Sequence, residues 1–207
     1  MCHLILLRHG ETAGQSSIRF FGSTDIELSE FGKNQMRLAA NLLGRQPYRS
    51  IITSPLQRSR EGASIICGSG NPMPFIIDDF REINFGEWEG MTREEIKENY
   101  PDFYPRWQKS GSIARFPGGE SKTEFYGRVK KAALDVFNRA ELPALAVLHK
   151  GVIRGIISAL LDIPADELTA HPIELGSIHR LRKSNGAWEL IATNEIDHLG
   201  EYRIEHS

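Results

Sequence analysis

Cysteine is scarce in this 207-residue chain, which holds only Cys2 and Cys67. Two cysteines cannot build a disulfide framework and their spacing fits no zinc motif, so they read as reduced thiols of a cytoplasmic protein. Long apolar runs are missing too. Leu4 to Leu7 is an apolar run with no basic stretch before it and no small-residue cleavage site after it, and it reads as a strand rather than a signal peptide. Ala144 to Leu148 and Gly155 to Leu161 fall far short of the ~20 residues that cross a bilayer. Neither sign of charge is in excess: 25 Lys and Arg stand against 27 Asp and Glu, for a formal net charge of −2. A nucleic-acid binder carries a basic surplus. Neither nucleic acid nor membrane is therefore an expected partner. Internal repeats, linkers and low-complexity stretches are absent, and 40% hydrophobic with 25% charged residues excludes disordered and collagenous classes. At roughly 150 residues per domain the length suits a single domain over 1–207. Oligomeric state stays open, a homodimer included.

The apolar pattern predicts an α/β fold. Leu4 to Leu7 and Ala144 to Leu148 are continuous apolar runs of the kind found in strands buried on both faces, and each is followed closely by a histidine. Ser50 to Thr53 and Phe75 to Ile77 are further strand candidates. Helical patterns lie between them: Ser29 to Leu43, stopping at Gly44; a helix through Ile66 with Ser54 as N-cap and Pro55 at its first position; and the capping box Ser121-Lys122-Thr123-Glu124, followed by Phe125, Val129, Ala132, Val136 and Ala140. Thr92 to Glu95 repeats the capping pattern ahead of a Pro- and aromatic-rich stretch, Tyr100 to Phe116. Asn185-Gly186, flanked by Ile178 to Lys183 and Trp188 to Ala192, signals a late hairpin. Strands alternating with helices imply a mostly parallel sheet, with the hairpin as an antiparallel addition. The irregular region 82–120 reads as an insertion covering one end of the sheet.

In such sheets ligands collect at the carboxyl ends of the strands. His9 and His149 each follow a strand, so topology places both on one rim; taken singly, each would pass for a structural histidine. Arg8 at a buried strand end needs an anion, either a protein carboxylate such as Glu11 or a ligand phosphate or carboxylate. Arg58 falls in the first turn of a helix, where the macrodipole disfavours cations and attracts anions; a shared anion would ease its placement there, and taken alone the residue reads first as solvated or paired with Glu61. Arg60 reads as solvated. Among Glu82, Glu87 and Glu89, one carboxyl near that rim could act as a general acid; local pattern does not choose among them. Together these groups suit a small phosphoryl ligand of about −1.5 to −2 charges. The histidines lack chelating spacing and no acidic cluster reads as a Mg²⁺ site, so neither a metal nor another cofactor is expected.

These residues resemble the histidine phosphatase superfamily, in its phosphoglycerate mutase-like branch. Leu7-Arg8-His9-Gly10-Glu11-Thr12 is similar to the motif of its phosphorylated histidine. Ser54 to Glu61 resembles the second motif, with Arg58 as its phosphate-binding arginine; Arg81 to Gly90 resembles the segment of the acid, Glu82; His149 with Gly151 to Arg154 resembles the second-histidine motif; and Asn194 to Leu199 is similar to the C-terminal segment. Phe21 to Leu28 and Arg81 to Gly90 are closest in appearance to α-ribazole phosphatase-type members. The resemblance implies a three-layer α/β/α sandwich. It also implies a metal-independent phosphomonoester phosphatase for a small phosphorylated metabolite, α-ribazole 5′-phosphate among the candidates. Arg8, Arg58 and His149 would hold the phosphoryl oxygens, His9 would attack phosphorus, and Glu82 would protonate the leaving oxygen. Amides after His149, that of Lys150 included, and near Gly22 would supplement the anion hole. Lys150 stands where glycine is common in the family, and Gln15 where many members have asparagine beside the phosphate. The segment between Glu82 and His149 is compact compared with true phosphoglycerate mutases, which favours hydrolysis over the alternative of bisphosphoglycerate-dependent mutase chemistry. An inactive phospho-ligand-binding member is a third reading, and the presence of all five principal residues weighs against it.

Overall fold

The computed structural model describes residues 3–44, 47–68, 72–110 and 115–204. Cys2 and residues 111–114 of the expected insertion lie outside these. In chain order the elements are β1 (His3–Arg8), α1 (Glu30–Leu43), β2 (Ser50–Thr53), α2 (Gln57–Cys67), β3 (Phe75–Ile76), α3 (Arg93–Asn99), α4 (Phe103–Ser110), α5 (Lys122–Arg139), β4 (Ala144–Leu148), α6 (Lys150–Leu161), β5 (Ile178–Ser184) and β6 (Ala187–Glu195). One sheet has the order β3-β2-β4-β1-β5-β6. β1 to β4 run parallel, while β5 pairs antiparallel with β1 and β6 with β5. The sheet is thus mostly parallel, with the hairpin on one side. Asn185 and Gly186 turn it with φ of 51° and 82°, the positive pair that a two-residue hairpin demands.

Alternation along the strands divides the core into two layers. Leu4, Leu6, Ala144, Ala146 and Leu148 pack with Phe125, Val129, Phe137, Val152 and Ile156 of α5 and α6. Ile5, Leu7, Leu145 and Val147 pack with Met36, Ala39, Leu43 and Ala63 of α1 and α2. Helices therefore cover both faces, giving the α/β/α sandwich. Among the described residues no helix is long and apolar enough to span a membrane.

Local chemistry sets most helix ends. Ser29 caps α1 by accepting from Gly32 N, and Thr92 and Ser121 head full capping boxes. The proposed start of α2 needs correction. Its N-cap is Leu56 with no side-chain cap, and the first helical residue is Gln57 rather than Pro55. Ser54 Oγ accepts from Leu56 N at 3.2 Å just ahead of the helix and also meets the distant His149 Nε2 at 2.6 Å. The aromatic stretch after Tyr100 is also more regular than its sequence suggests, since it contains α4. Its Phe103 and Trp107 pack edge-on to the fully buried Trp88, as does Phe116, and these rings join the α5–α6 side of the core.

β5 carries a fully buried histidine, His179. Asn194 N donates to its Nδ1 at 3.2 Å, so Nε2 carries the proton and donates to Ser177 Oγ at 3.1 Å. Desolvation, then the Arg8 charge, lowers its pKa from 6.5 to about 4. The unfolded chain binds more protons between these values, so this contribution is full above 6.5 and is lost as pH falls toward 4. The loss from this group should total about 3 kcal/mol. Urea unfolding at pH 7 and pH 4 should therefore show a smaller drop in His179→Asn than in the wild type; equal drops would refute the assignment.

Candidate active site

The register aligns Arg8 with Leu148 across β1 and β4, so His9 and His149, the next residues, leave the sheet side by side. Their ring centroids are 5.1 Å apart at 61°, and both are buried. The tight exit from β1 depends on glycine: a Cβ on Gly10 would lie 2.4 Å from Gly32 O, so any side chain would push α1 away. The Gly10 carbonyl can only accept, so the 2.7 Å contact with His9 Nδ1 fixes Nδ1 as the donor and leaves the lone pair on Nε2. Burial, then Arg58 and Arg8, hold the His9 pKa well below its ordinary value. The ring is neutral at physiological pH. His149 is lowered in the same way, by burial, Arg58, His9 and Arg8.

Arg8 and Arg58 bring positive charge to this pair. Arg8 donates from Nη1 to Ile173 O at 2.8 Å and does not hydrogen-bond Glu11, whose carboxylate instead accepts from Thr12 N, Ser16 Oγ and Ser17 N. Arg58 is fully buried and donates to Thr24 O at 2.7 Å and Gly22 O at 2.6 Å. Glu61, its alternative partner, accepts from Leu28 N and Gln57 Nε2. Desolvation pulls both guanidinium groups down to about 10, which leaves them cationic at neutral pH. The buried Nε of each arginine and the Nδ1 of His149 have no hydrogen-bond partner among the described residues. Unpaired buried donors are costly, and an anion that accepts from such a cluster relieves that cost. Arg60 is exposed, as expected.

The structure separates the three carboxyl candidates. Glu82 is buried and accepts from Ile83 N at 2.9 Å and Gly151 N at 2.8 Å. Gly151 permits this approach, since a Cβ there would lie 2.5 Å from Glu82 Oε1. Glu87 is exposed and accepts from Tyr100 Oη. Glu89 gathers the amides of Gly22 at 3.0 Å, Ser23 at 2.9 Å and Thr24 at 3.3 Å, together with the Thr24 hydroxyl at 2.6 Å. It thereby fixes the loop whose carbonyls hold Arg58. Sequence reasoning missed this role, and also that of Ser54, which it had assigned to a helix cap.

Three expected ligand contacts take a different form. The Gly22 amide is engaged by Glu89, so Gly22 serves the site through its carbonyl on Arg58 rather than as an anion-hole donor. The Gly151 amide, just after His149, is taken by Glu82. Gln15 is exposed in a left-handed turn, φ 63°, and its side chain makes no hydrogen bond among the described residues, so it stands outside the buried cluster. Lys150 heads α6 at the exposed rim. Its ammonium pKa is lowered by loss of hydration and then by Arg8 and Arg154.

Comparison with known proteins places this geometry in context. Residues 4–196 match the histidine phosphatase superfamily (branch 1). Phosphoserine phosphatase 1 of Hydrogenobacter thermophilus is 32% identical over 206 residues, covering 99% of this chain and 98% of that protein. The adenosylcobalamin/alpha-ribazole phosphatase of Salmonella typhimurium is 29% identical over 175 residues, 84% of this chain and 86% of its own. The mycobacterial glucosyl-3-phosphoglycerate phosphatase Rv2419c, solved in complex with VO3, superposes with a TM-score of 0.79 at 28% identity, covering 94% of this chain and 99% of that one.

Proposed function

This chain belongs to the histidine phosphatase superfamily (branch 1), and on that footing we propose that it is a phosphomonoester phosphatase whose nucleophile is His9 and whose general acid is Glu82. The observation that carries the reading is His9 itself: a neutral ring with a fixed tautomer, its Nε2 lone pair available and two buried arginines close by. Arg8, Arg58 and His149 bind the phosphoryl oxygens and stabilise charge on them in a loose transition state. His9 Nε2 forms a bond to phosphorus as the ester P–O bond breaks, and the proton of Glu82 passes to the leaving oxygen. The ring becomes cationic while phosphorylated, and its Nδ1–H bond to Gly10 O strengthens accordingly. Glu82, now ionised, takes a proton from water as that water attacks phosphorus; inorganic phosphate leaves and Nε2 regains its lone pair.

Phosphoserine, glucosyl-3-phosphoglycerate and α-ribazole phosphate appear in the names of relatives and are candidate substrates here. All are small phosphate monoesters. Net release of inorganic phosphate from this panel, measured with EDTA present, tests the reading. Release should persist in EDTA and stop with vanadate. Interconversion of phosphoglycerates that requires bisphosphoglycerate and releases no phosphate would overturn it in favour of a mutase.

A further inference from the structure

A cleft of about 420 Å³ opens beside Glu82 and holds three arginines, Arg81, Arg115 and Arg128. Two are occupied by the protein. Arg128 donates to both oxygens of Glu120, at 2.8 and 2.9 Å, and to the carbonyls of Asp79 and Arg81. Arg115 donates to Gly119 O and to Glu124. The guanidinium of Arg81 makes no hydrogen bond or ion pair among the described residues, although Asp78 lines the same cleft. Arg81 directly precedes the acid that meets the ester oxygen, and its charge is felt at both Arg58 and His149. The cleft meets the proposed phosphoryl site at Glu82, and although Asp78 and Glu120 also line it, Arg81 carries the one guanidinium of its lining that no described residue engages. Arg8 and Arg58 already match a phosphate of about −1.5 to −2 charges, so Arg81 is surplus to any substrate whose only anion is its phosphate.

We infer that Arg81 binds a carboxylate on the leaving group, so that the substrates are phosphate esters of small hydroxy acids whose carboxylate lies a few bonds from the ester oxygen. The inference rests on the phosphatase reading above and narrows its substrate class. A guanidinium recognises a carboxylate through two parallel N–H bonds, which a lysine cannot reproduce. Ser23, Asp78 and Asn84 on the same cleft supply acceptors for a hydroxyl or ammonium group beside that carboxylate.

The test compares matched substrates within each enzyme. O-phosphoserine is set against O-phosphoethanolamine, and 3-phosphoglycerate against glycerol 3-phosphate, which keep the ester but lack the carboxylate. The wild type should favour the acid of at least one pair by about tenfold or more in kcat/KM, as a charge-assisted contact does. In Arg81→Gln that ratio should collapse toward unity, and in Arg81→Lys it should fall part of the way. A wild-type ratio near unity for both pairs overturns the inference without need of any variant, and so does a preference that survives in Arg81→Gln. p-Nitrophenyl phosphate, run alongside on the wild type, separates the two levels. If it is hydrolysed while the ratios are near unity, only the carboxylate site falls. If the enzyme is inert to every ester including this one, the phosphatase reading fails and the inference falls with it.

Discussion

His9→Ala should lose phosphate release by roughly 10⁴-fold or more, as expected when the nucleophile of an interdependent catalytic group is removed. The reason is geometric. His149, the other histidine of the pair, has its Nε2 engaged with Ser54 at 2.6 Å, so it does not present a free Nε2 as His9 does. Folding should survive the change, because the one hydrogen bond of the His9 side chain goes to the adjacent residue and a buried ring with a strongly lowered pKa contributes little polar stabilisation. Two measurements check this. Wild-type enzyme quenched during turnover of ³²P-labelled substrate should carry a protein-bound label that is stable in alkali and labile in acid, and His9→Ala should carry none. A variant that keeps more than a tenth of the activity, or still acquires the label, would place the nucleophile elsewhere.

Glu82→Gln should separate two roles of one side chain. With an alkyl phosphate the departing alkoxide needs a proton, so loss of the acid should lower kcat/KM by roughly 10² to 10³-fold. With p-nitrophenyl phosphate the phenolate leaves unaided, and phosphorylation of His9 should stay comparatively fast. Hydrolysis of the phosphohistidine still lacks its base, however. Rapid mixing should then show a burst of nitrophenolate close to one per active site, followed by slow turnover. Glutamine is nearly isosteric, but its amide nitrogen cannot accept, so it keeps only one of the two bonds from Ile83 N and Gly151 N; circular dichroism of the variant should still match the wild type. An equal rate loss for both substrates with no burst would remove Glu82 from proton transfer and leave it a structural anchor.

How far the chain could be read in advance depended on how far apart the interacting residues lie. Caps at Ser29, Thr92 and Ser121 and the Asn185-Gly186 turn involve neighbours, and they stand as expected. The meeting of His9 and His149 is a long-range contact, yet it was legible because parallel strands end on a common edge and each histidine follows one. Ser54 was legible only in part: its hydroxyl does accept from the nearby Leu56 N, but it also meets His149, 95 residues on. Gly22 misled: its amide was expected to face a ligand, but a carboxylate 67 residues later claims it. The choice among Glu82, Glu87 and Glu89 needed the fold, since all three share one short acidic segment and differ only in what they meet.

That segment has a consequence for how new specificities can arise on this scaffold. In the proposed mechanism Glu82 stands at the reacting bond and Arg81 beside it faces the leaving group, while Glu89 ties down the loop that orients Arg58. Exchanging residues 81–89 as a block would move acid, selector and tether together, so recognition could be replaced while the phosphoryl machinery on β1 and β4 stays in register. Piecemeal exchange is more constrained. A graft that lacks a carboxylate at position 89 would free the amides of Gly22, Ser23, Thr24 and Phe85 and leave the arginine's carbonyl partners without a fixed place, coupling any new substrate preference to a weaker hold on phosphate.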